Sequence, residues 1–454
     1  MKEFDFCFWS APVLGTTLFQ LSPETRYDKY MSFDPIINNW QVIVNGTETM
    51  QPAKGYIVRS PLGWSVTNAF GGRYEGIFKG VPNNGVIQVP IKKGAGASNF
   101  LGNPYPSAID LDLFLSDPTN AGLLTGTVML WTHNTAISSS INGSAVYNYT
   151  VDDYAKYNLT GGTKAASTPQ GGVRPDGKLA SGQGFFIEAK ASLANGTYTG
   201  YFRNSMRVAS NNGNFYKVGP SVAAQNTSTI EKNRLWINIS NTQGAFNELL
   251  LGYITGATNN NDDMYDGEVV AAGSVVTFYT IAQTKNYAIQ GRQLPFDQNE
   301  TVPVGYKSTI AGNYSIQLEE FDGLFNNQNV YLVDHLTNTT HNLKIAPYTF
   351  TTAIGTFNSR FEIKYTNNVL GIDDVNFDAQ SVKIAADGKA AKIKATDAIK
   401  SVEVYDLLGR MLYSNNKVNA SEFRTNDLTQ ATQVLIVKVK MENNHEVSQK
   451  IMIR

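Results

Sequence analysis

Cysteine is almost absent: Cys7 is the only one, so no intramolecular disulfide forms and no cysteine-based metal cluster is possible. Histidine is scarce too, and the scatter of His133, His335, His341 and His445 argues against zinc sites and histidine-based triads. Charge is sparse. Only 17% of residues are charged, the formal net charge is −1, and no run of Lys or Arg exceeds two residues. The basic face that phosphate binding requires is missing, so no nucleic-acid partner is expected. No stretch is long and apolar enough to cross a bilayer, and Met1-Lys2-Glu3-Phe4-Asp5 lacks the basic start and apolar run of a signal peptide.

What the chain has in abundance is Asn, Thr, Gly and Tyr, with 39 Gly and 23 Tyr, a balance that suits short strands and tight turns. Hydrophobic residues make up 42%, enough for packed cores. A length of 454 residues corresponds to about three domains. The expected fold class is all-β: tandem β-sandwich domains over residues 1–217 and 218–368, ending in a small immunoglobulin-like module over 369–454.

Residues up to 217 read as a diverged internal duplication. One copy runs Trp9-Ser10-Ala11-Pro12, Tyr30-Met31-Ser32-Phe33, Lys54-Gly55-Tyr56-Ile57-Val58 and Gly76-Ile77-Phe78-Lys79-Gly80. The other runs Gly102-Asn103-Pro104-Tyr105-Pro106, Val128-Met129-Leu130-Trp131, Gln183-Gly184-Phe185-Phe186-Ile187 and Gly200-Tyr201-Phe202-Arg203-Asn204. Between strands of the second copy, Ser138 to Lys178 is poor in large aliphatics and rich in Ser, Thr, Gly and Asn, and is expected to be a long surface loop. A further β domain is expected from near Glu231, where Arg234-Leu235-Trp236-Ile237-Asn238-Ile239 alternates, to near Tyr365.

In the last part of the chain, Val402, Val404 and Leu407 beside Glu403 and Asp406 give the period of a half-buried strand, and Leu408-Gly409 supplies a turn. Strands are expected again at Val434 to Met441 and Val447 to Ile453, with Asn443-Asn444 turning between them. The Val-x-Val-Tyr-Asp-x-x-Gly-Arg core at Val402 to Arg410 and the basic, apolar final strand resemble the type A C-terminal sorting domain of cargo proteins of the Bacteroidetes type IX secretion system. The commoner form opens its penultimate strand Gly-x-Tyr, where this chain has Gln433-Val434-Leu435.

The resemblance implies export through the periplasm to the cell surface or medium, and partners in the outer-membrane translocon and its cargo-binding shuttle protein. It implies a signal peptide on a longer precursor, and removal of the sorting domain at the polar linker Asn367 to Asp374. Its positions in this chain are Val402, Val404, Tyr405, Asp406, Gly409, Arg410, Lys450, Ile451 and Arg454. Arg410 is equally compatible with a structural pairing to Asp406. The latter half of the second β domain is similar to the immunoglobulin-like domain that often precedes such a module in flavobacterial surface proteins.

Chemistry-bearing clusters are few. Asn261, Asp262, Asp266 and Glu268 next to Gly267 form a candidate calcium loop, although Met264 occupies the middle ligand position. Asp110 with Asp112, and Glu319, Glu320 and Asp322, are carboxylate groupings of the kind glycoside hydrolysis uses, more readily explained as a helix cap and an exposed edge. Trp40, Trp64 and Trp131 lie near Asn-rich loops and suit sugar stacking, although most Trp in a sandwich are core. No catalytic constellation or obligatory cofactor stands out. The expected function is a non-catalytic, adhesin-like or gliding-associated surface protein with a glycan or surface ligand. The alternatives are a polysaccharide-binding module or part of a secreted carbohydrate-active enzyme, and a structural component of the secretion apparatus.

Overall fold

The computed structural model describes residues 5–61, 76–132, 149–166, 172–213, 215–216, 230–270, 273–367, 382–428, 432–442 and 446–453. Strands take 52% of the chain and helix 7%, so the fold is all-β and consistent with β-sandwich domains. Contacts divide it into two compact units, residues 1–367 and 368–454.

The larger unit begins with two antiparallel sheets of like order. In one, Phe6–Trp9 pairs with Tyr56–Arg59, then Tyr30–Asp34, then Asn39–Val42. In the other, Ser98–Gly102 pairs with Gly184–Glu188, then Val128–Trp131, then Tyr154–Tyr157, with the short Gly162–Thr163 beyond. That extra strand aside, both run first, last, second, third. The sheets exchange backbone bonds where these strands meet: Trp9 bridges Gln183, and Lys54 bridges Leu101. The Gly55 N–H donates to the Phe100 carbonyl at 2.9 Å and the Ser10 N–H to the Gly182 carbonyl at 2.7 Å.

Alternation then sets the faces. Phe8, Phe33 and Trp40 of the first sheet meet Phe100, Phe186 and Trp131 of the second, with Phe8 and Phe100 ring centroids 4.7 Å apart. The opposite face of the second sheet buries Leu101, Val128, Leu130, Phe185 and Ile187 beneath the helices Leu111–Leu115 and Pro118–Leu123. Gly76-Ile77-Phe78-Lys79-Gly80 is not a strand. It crosses the cluster around Trp9, with Phe78 against the Trp9 ring at 5.8 Å and no strand partner.

Residues 232–364 form an 11-stranded curled sheet closing over a core of Leu235, Ile237, Ile239, Phe278, Tyr306 and their neighbours. It is tied to the preceding sheets by the segment expected as a surface loop. Within 149–166 and 172–178 lie the strands Tyr154–Tyr157 and Gly162–Thr163, and Ala155, Tyr157 and Thr160 are buried. The Thr160 hydroxyl donates to the Tyr265 carbonyl at 2.7 Å, and the Trp236 indole N–H donates to the Gly162 carbonyl at 2.9 Å. Small polar residues stand here because each segment's side chains reach the other's backbone at close range, which composition alone reads as a loop.

The smaller unit is a six-stranded sheet built on the 17-residue strand Ala390–Asp406, which pairs with Val382–Asp387, Met411–Asn415, Ala420–Arg424 and Gln433–Met441. Glu446–Ile453 lies outside Gln433–Met441. Val402, Val404, Val437, Val439, Leu435 and Ile451 share one core. Leu407 is not on the apolar face: it is exposed, and Asp406 takes the inward position. The period of two puts 402, 404 and 406 on one side, and the Asp406 carboxylate accepts the Leu408 and Arg410 N–H groups, each at 2.9 Å, to fix the turn. Gly409, at φ +81°, closes it.

A Cβ on Gly55 would lie 2.6 Å from the Phe100 ring and 2.9 Å from the Leu101 carbonyl oxygen, whereas one on the exposed helical Gly122 meets nothing within 4 Å. Gly55→Ala is expected to destabilise the larger unit by about 1–3 kcal/mol and Gly122→Ala to stabilise it by about 0.5–1 kcal/mol. Chemical denaturation of the two variants checks this, and equal effects would refute the close approach of the sheets at Gly55.

Candidate functional site

Two adjoining pockets open in the larger unit, and Trp40, Val151 and Tyr154 line both. One, of about 280 Å³, lies where the two early sheets face the 11-stranded sheet, with Phe33, Met129 and Phe186 as apolar floor and Ser98, Thr163, Asn247, Ser274 and Thr277 as polar wall. The other, of about 410 Å³, is mostly apolar, formed by Phe6, Phe8, Met31, Ile57, Trp131 and Tyr149, with Lys29 and Arg59 among its lining. Trp40 is half-buried and packs edge-on against Phe100 and Phe186, both at 5.7 Å. Trp131 is buried, 4.9 Å from Tyr154 and stacked with Phe8 at 5.7 Å. Trp64 lies outside the described residues.

Charges in the first pocket are held by partners. The Arg174 guanidinium grips Glu248 at two points, Nε to Oε1 at 2.9 Å and Nη2 to Oε2 at 2.7 Å, and packs 5.1 Å above the Trp236 ring. The Glu248 side chain has no exposure and Arg174 has 15%. Burial raises the Glu248 carboxyl above its ordinary range, against the pull of Arg174. Asp152 accepts from the Ser274 hydroxyl, and burial raises its carboxyl too. Burial lowers the Lys156 ammonium to about 8, against the attraction of Glu188 and Asp152, while its Nζ donates to the Glu268 carbonyl at 3.1 Å. Stacking faces beside matched donors and acceptors are the equipment of ligand binding.

Asp152, Tyr154, Lys156 and Arg174 escape a sequence reading because they sit in the segment that composition presents as a loop. The only signal in their favour is the alternation in Tyr154-Ala155-Lys156-Tyr157.

The candidate calcium residues are engaged otherwise. Asp266 accepts the Asp262 and Gly291 N–H groups at 2.8 and 2.9 Å, Asp262 accepts the Thr258 N–H, Asn261 accepts the Tyr287 hydroxyl at 2.9 Å, and Glu268 pairs with Lys285. Among the described residues no group of three or more His, Cys, Asp or Glu is placed to hold a metal ion. Asp110 caps the helix Leu111–Leu115 and pairs with Lys178, and Asp112 accepts the Tyr157 hydroxyl at 2.7 Å. Glu319, Glu320 and Asp322 are not a bare edge: Lys164, Arg174 and Arg234 neutralise them.

In the smaller unit, Val402, Val404 and Ile451 are core and Tyr405 donates to Glu403 at 2.8 Å. Arg410 pairs with Asp406 at 2.6 Å yet remains 75% exposed, and Lys450 is exposed. Arg454 lies outside the described residues.

Residues 1–365 match the family described as "Domain of unknown function (DUF8693)". The chain belongs to this family. Residues 370–453 match a second, "Domain of unknown function (DUF8694)". No curated protein matches. Among solved structures, the chain is similar at 11% identity and a TM-score of 0.15 to PorZ, a surface component of the type IX secretion system of Porphyromonas gingivalis, covering 66% of this chain and 55% of that one. The chain thus spans about half the length of that protein. A biofilm-associated protein's BSP domain matches at 10% identity and a TM-score of 0.14, over 99% of this chain and 90% of that one.

Arg174→Ala strands the buried Glu248 and is expected to cost about 3–5 kcal/mol, with Glu248→Gln in the same chain recovering part of the loss. Thermal unfolding checks this, and no recovery in the double variant would show that the charge is not the cause. Burial pushes the Asp266 carboxyl up to about 7 from its ordinary 3.8. Its contribution to stability is therefore fully present below the ordinary value and lost as pH rises through about 7. Relative to Asp266→Asn, the wild type should lose on the order of 1 kcal/mol per pH unit across that window. A flat difference in denaturation midpoints would contradict the shift.

Proposed function

We propose that the chain is a secreted or cell-surface cargo protein exported by the type IX secretion system, with its smaller unit as the sorting signal. The larger unit is then a non-catalytic, adhesin-like or gliding-associated body that binds a surface ligand. The observation that carries the export reading is the Val402 to Arg410 hairpin. Its motif residues divide cleanly: Val402 and Val404 hold the core, Asp406 and Gly409 hold the turn, and Arg410 stands in solvent beside exposed Leu407 and Leu408. Residues that hold a hairpin rigid while presenting a cation and apolar tips suit recognition by a translocon and its shuttle protein. A second reading, a polysaccharide-binding module or part of a carbohydrate-active enzyme, is favoured by the aromatic cleft around Trp40.

The test is protease shaving and fractionation of cells expressing the chain behind a signal peptide. Whole protein is expected at the surface, and a form lacking 370–454 in the periplasm. Arg410→Ala should reduce surface exposure with little change in unfolding, since an exposed pair contributes little stability. Surface display of the truncated form would defeat the export reading.

A further inference from the structure

The strand Val276–Ala282 turns Val276 and Phe278 into the core of the 11-stranded sheet, so alternation sends Thr277 to the opposite face, where it lines the smaller of the two pockets. There Thr277 is only 3% exposed, and its hydroxyl has no hydrogen-bond partner among the described residues. A buried hydroxyl without a partner costs stability, and a ligand that bonds it removes the cost. On the same wall Asn247 accepts the Phe278 N–H at its Oδ1, at 3.2 Å, which leaves its amide N–H groups for the pocket.

The charged side chains of this lining are already engaged. Glu248 is gripped by Arg174, Lys164 pairs with Glu319, and Asp152 accepts from the Ser274 hydroxyl. Lys156 donates to the Glu268 carbonyl at 3.1 Å, and the exposed Glu188 accepts from the Ser98 hydroxyl at 3.5 Å. A charged ligand would lose its hydration here without gaining an opposite charge of its own. What is left to a ligand is uncharged: a hydroxyl, an amide, and the apolar surface of Trp40, Phe33 and Phe186. A pyranose carries both complements, hydroxyls around its rim and C–H groups on its face. We infer that this pocket binds the terminal one or two rings of a neutral glycan, with a sugar hydroxyl on Thr277 and a ring against Trp40. A space of about 280 Å³ lies near the lower end of small-molecule sites, about 300–1,000 Å³, and suits an end of a glycan better than a long segment of one. This inference rests on the reading of the larger unit as a binding body and names its ligand class.

The experiment is calorimetric titration of the full chain with maltotriose, cellotriose, mannotriose and lactose, and with trigalacturonate as a charged counterpart. At least one neutral probe is expected to bind, tenfold or more tightly than trigalacturonate. Thr277→Val keeps the side-chain volume and removes the hydroxyl. It should weaken that binding at least tenfold while raising the unfolding midpoint of the free protein by a few degrees, because the unpaired group is gone. Thr277→Ser should restore binding, and Trp40→Ala should weaken it at least tenfold. A neutral sugar that binds wild type and Thr277→Val equally leaves the larger unit a sugar-binding body and overturns this pocket as its site. Trigalacturonate binding as tightly as the neutral probes overturns the selection for an uncharged ligand. No binding of any probe overturns the sugar assignment altogether, while the export reading stands or falls separately on localisation.

Discussion

Everything distinctive in the larger unit depends on the crossing at Gly55 and Gly184, where two sheets of like order give each other backbone hydrogen bonds. Gly55 has no Cβ to hold Phe100 away, so the Gly55 N–H reaches the Phe100 carbonyl while Lys54 bridges Leu101. At the matching corner Trp9 bridges Gln183. This contact fixes the separation of the sheets, and the separation decides what their facing side chains do. At ring-to-ring spacings of 4.6 to 5.7 Å, Phe8, Phe100 and Phe186 fill the space between them. Farther from the crossing, where Trp40 and Tyr154 stand, the sheets leave a cleft.

The cleft survives because its charges are not left to water. A carboxylate with no exposure, as at Glu248, is tolerable only with a partner of fixed geometry, and a guanidinium gripping two oxygens supplies one. Arg174 comes from upstream of residue 217 and Glu248 from the strand Phe246–Ile254, so the pair also joins the early sheets to the 11-stranded sheet. Stability and cleft shape are therefore coupled. The same interactions that pack 149–166 and 172–178 against the later sheet also place Asp152 and Lys156 in the pocket wall.

Strands were legible where β-branched and aromatic residues run together between turn residues, as at Tyr56–Arg59, Gly184–Glu188 and Lys232–Asn241. Phe6–Trp9, a strand in the structure, lies just before Pro12 and its apolar run is too short to stand out in the sequence. What was not legible has a common cause. Residues 158–163 are buried largely through backbone contacts and small polar residues, as at Thr160 and Gly162, and such burial leaves little hydrophobic pattern. The cleft residues are separated by up to about 250 positions, from Phe33 to Ala288, and only the sheet order brings Trp40, Lys156 and Ser274 to one wall. The acidic loop from Asn261 to Glu268 shows the converse. Its composition suggests a cation, but its oxygens are directed to N–H groups of Asp262, Gly291 and Thr258 and to the ammonium of Lys285, the ordinary use of Asx side chains in a tight turn.

In the smaller unit the position of Asp406 decides which side chains turn inward and which turn out. A carboxylate on the inward side of a strand is normally costly, and here it is compensated by two N–H groups and the Arg410 guanidinium at the end of the strand. With Asp406 turned inward, the period of two forces Tyr405 and Leu407 outward, and the turn carries Leu408 with them. The hairpin therefore has no freedom to hide its apolar tip: Leu407 is 60% and Leu408 is 83% exposed. A tip held open by an internal carboxylate cannot collapse onto its own core, which makes exposure a consequence of the motif rather than an accident of the sequence around it.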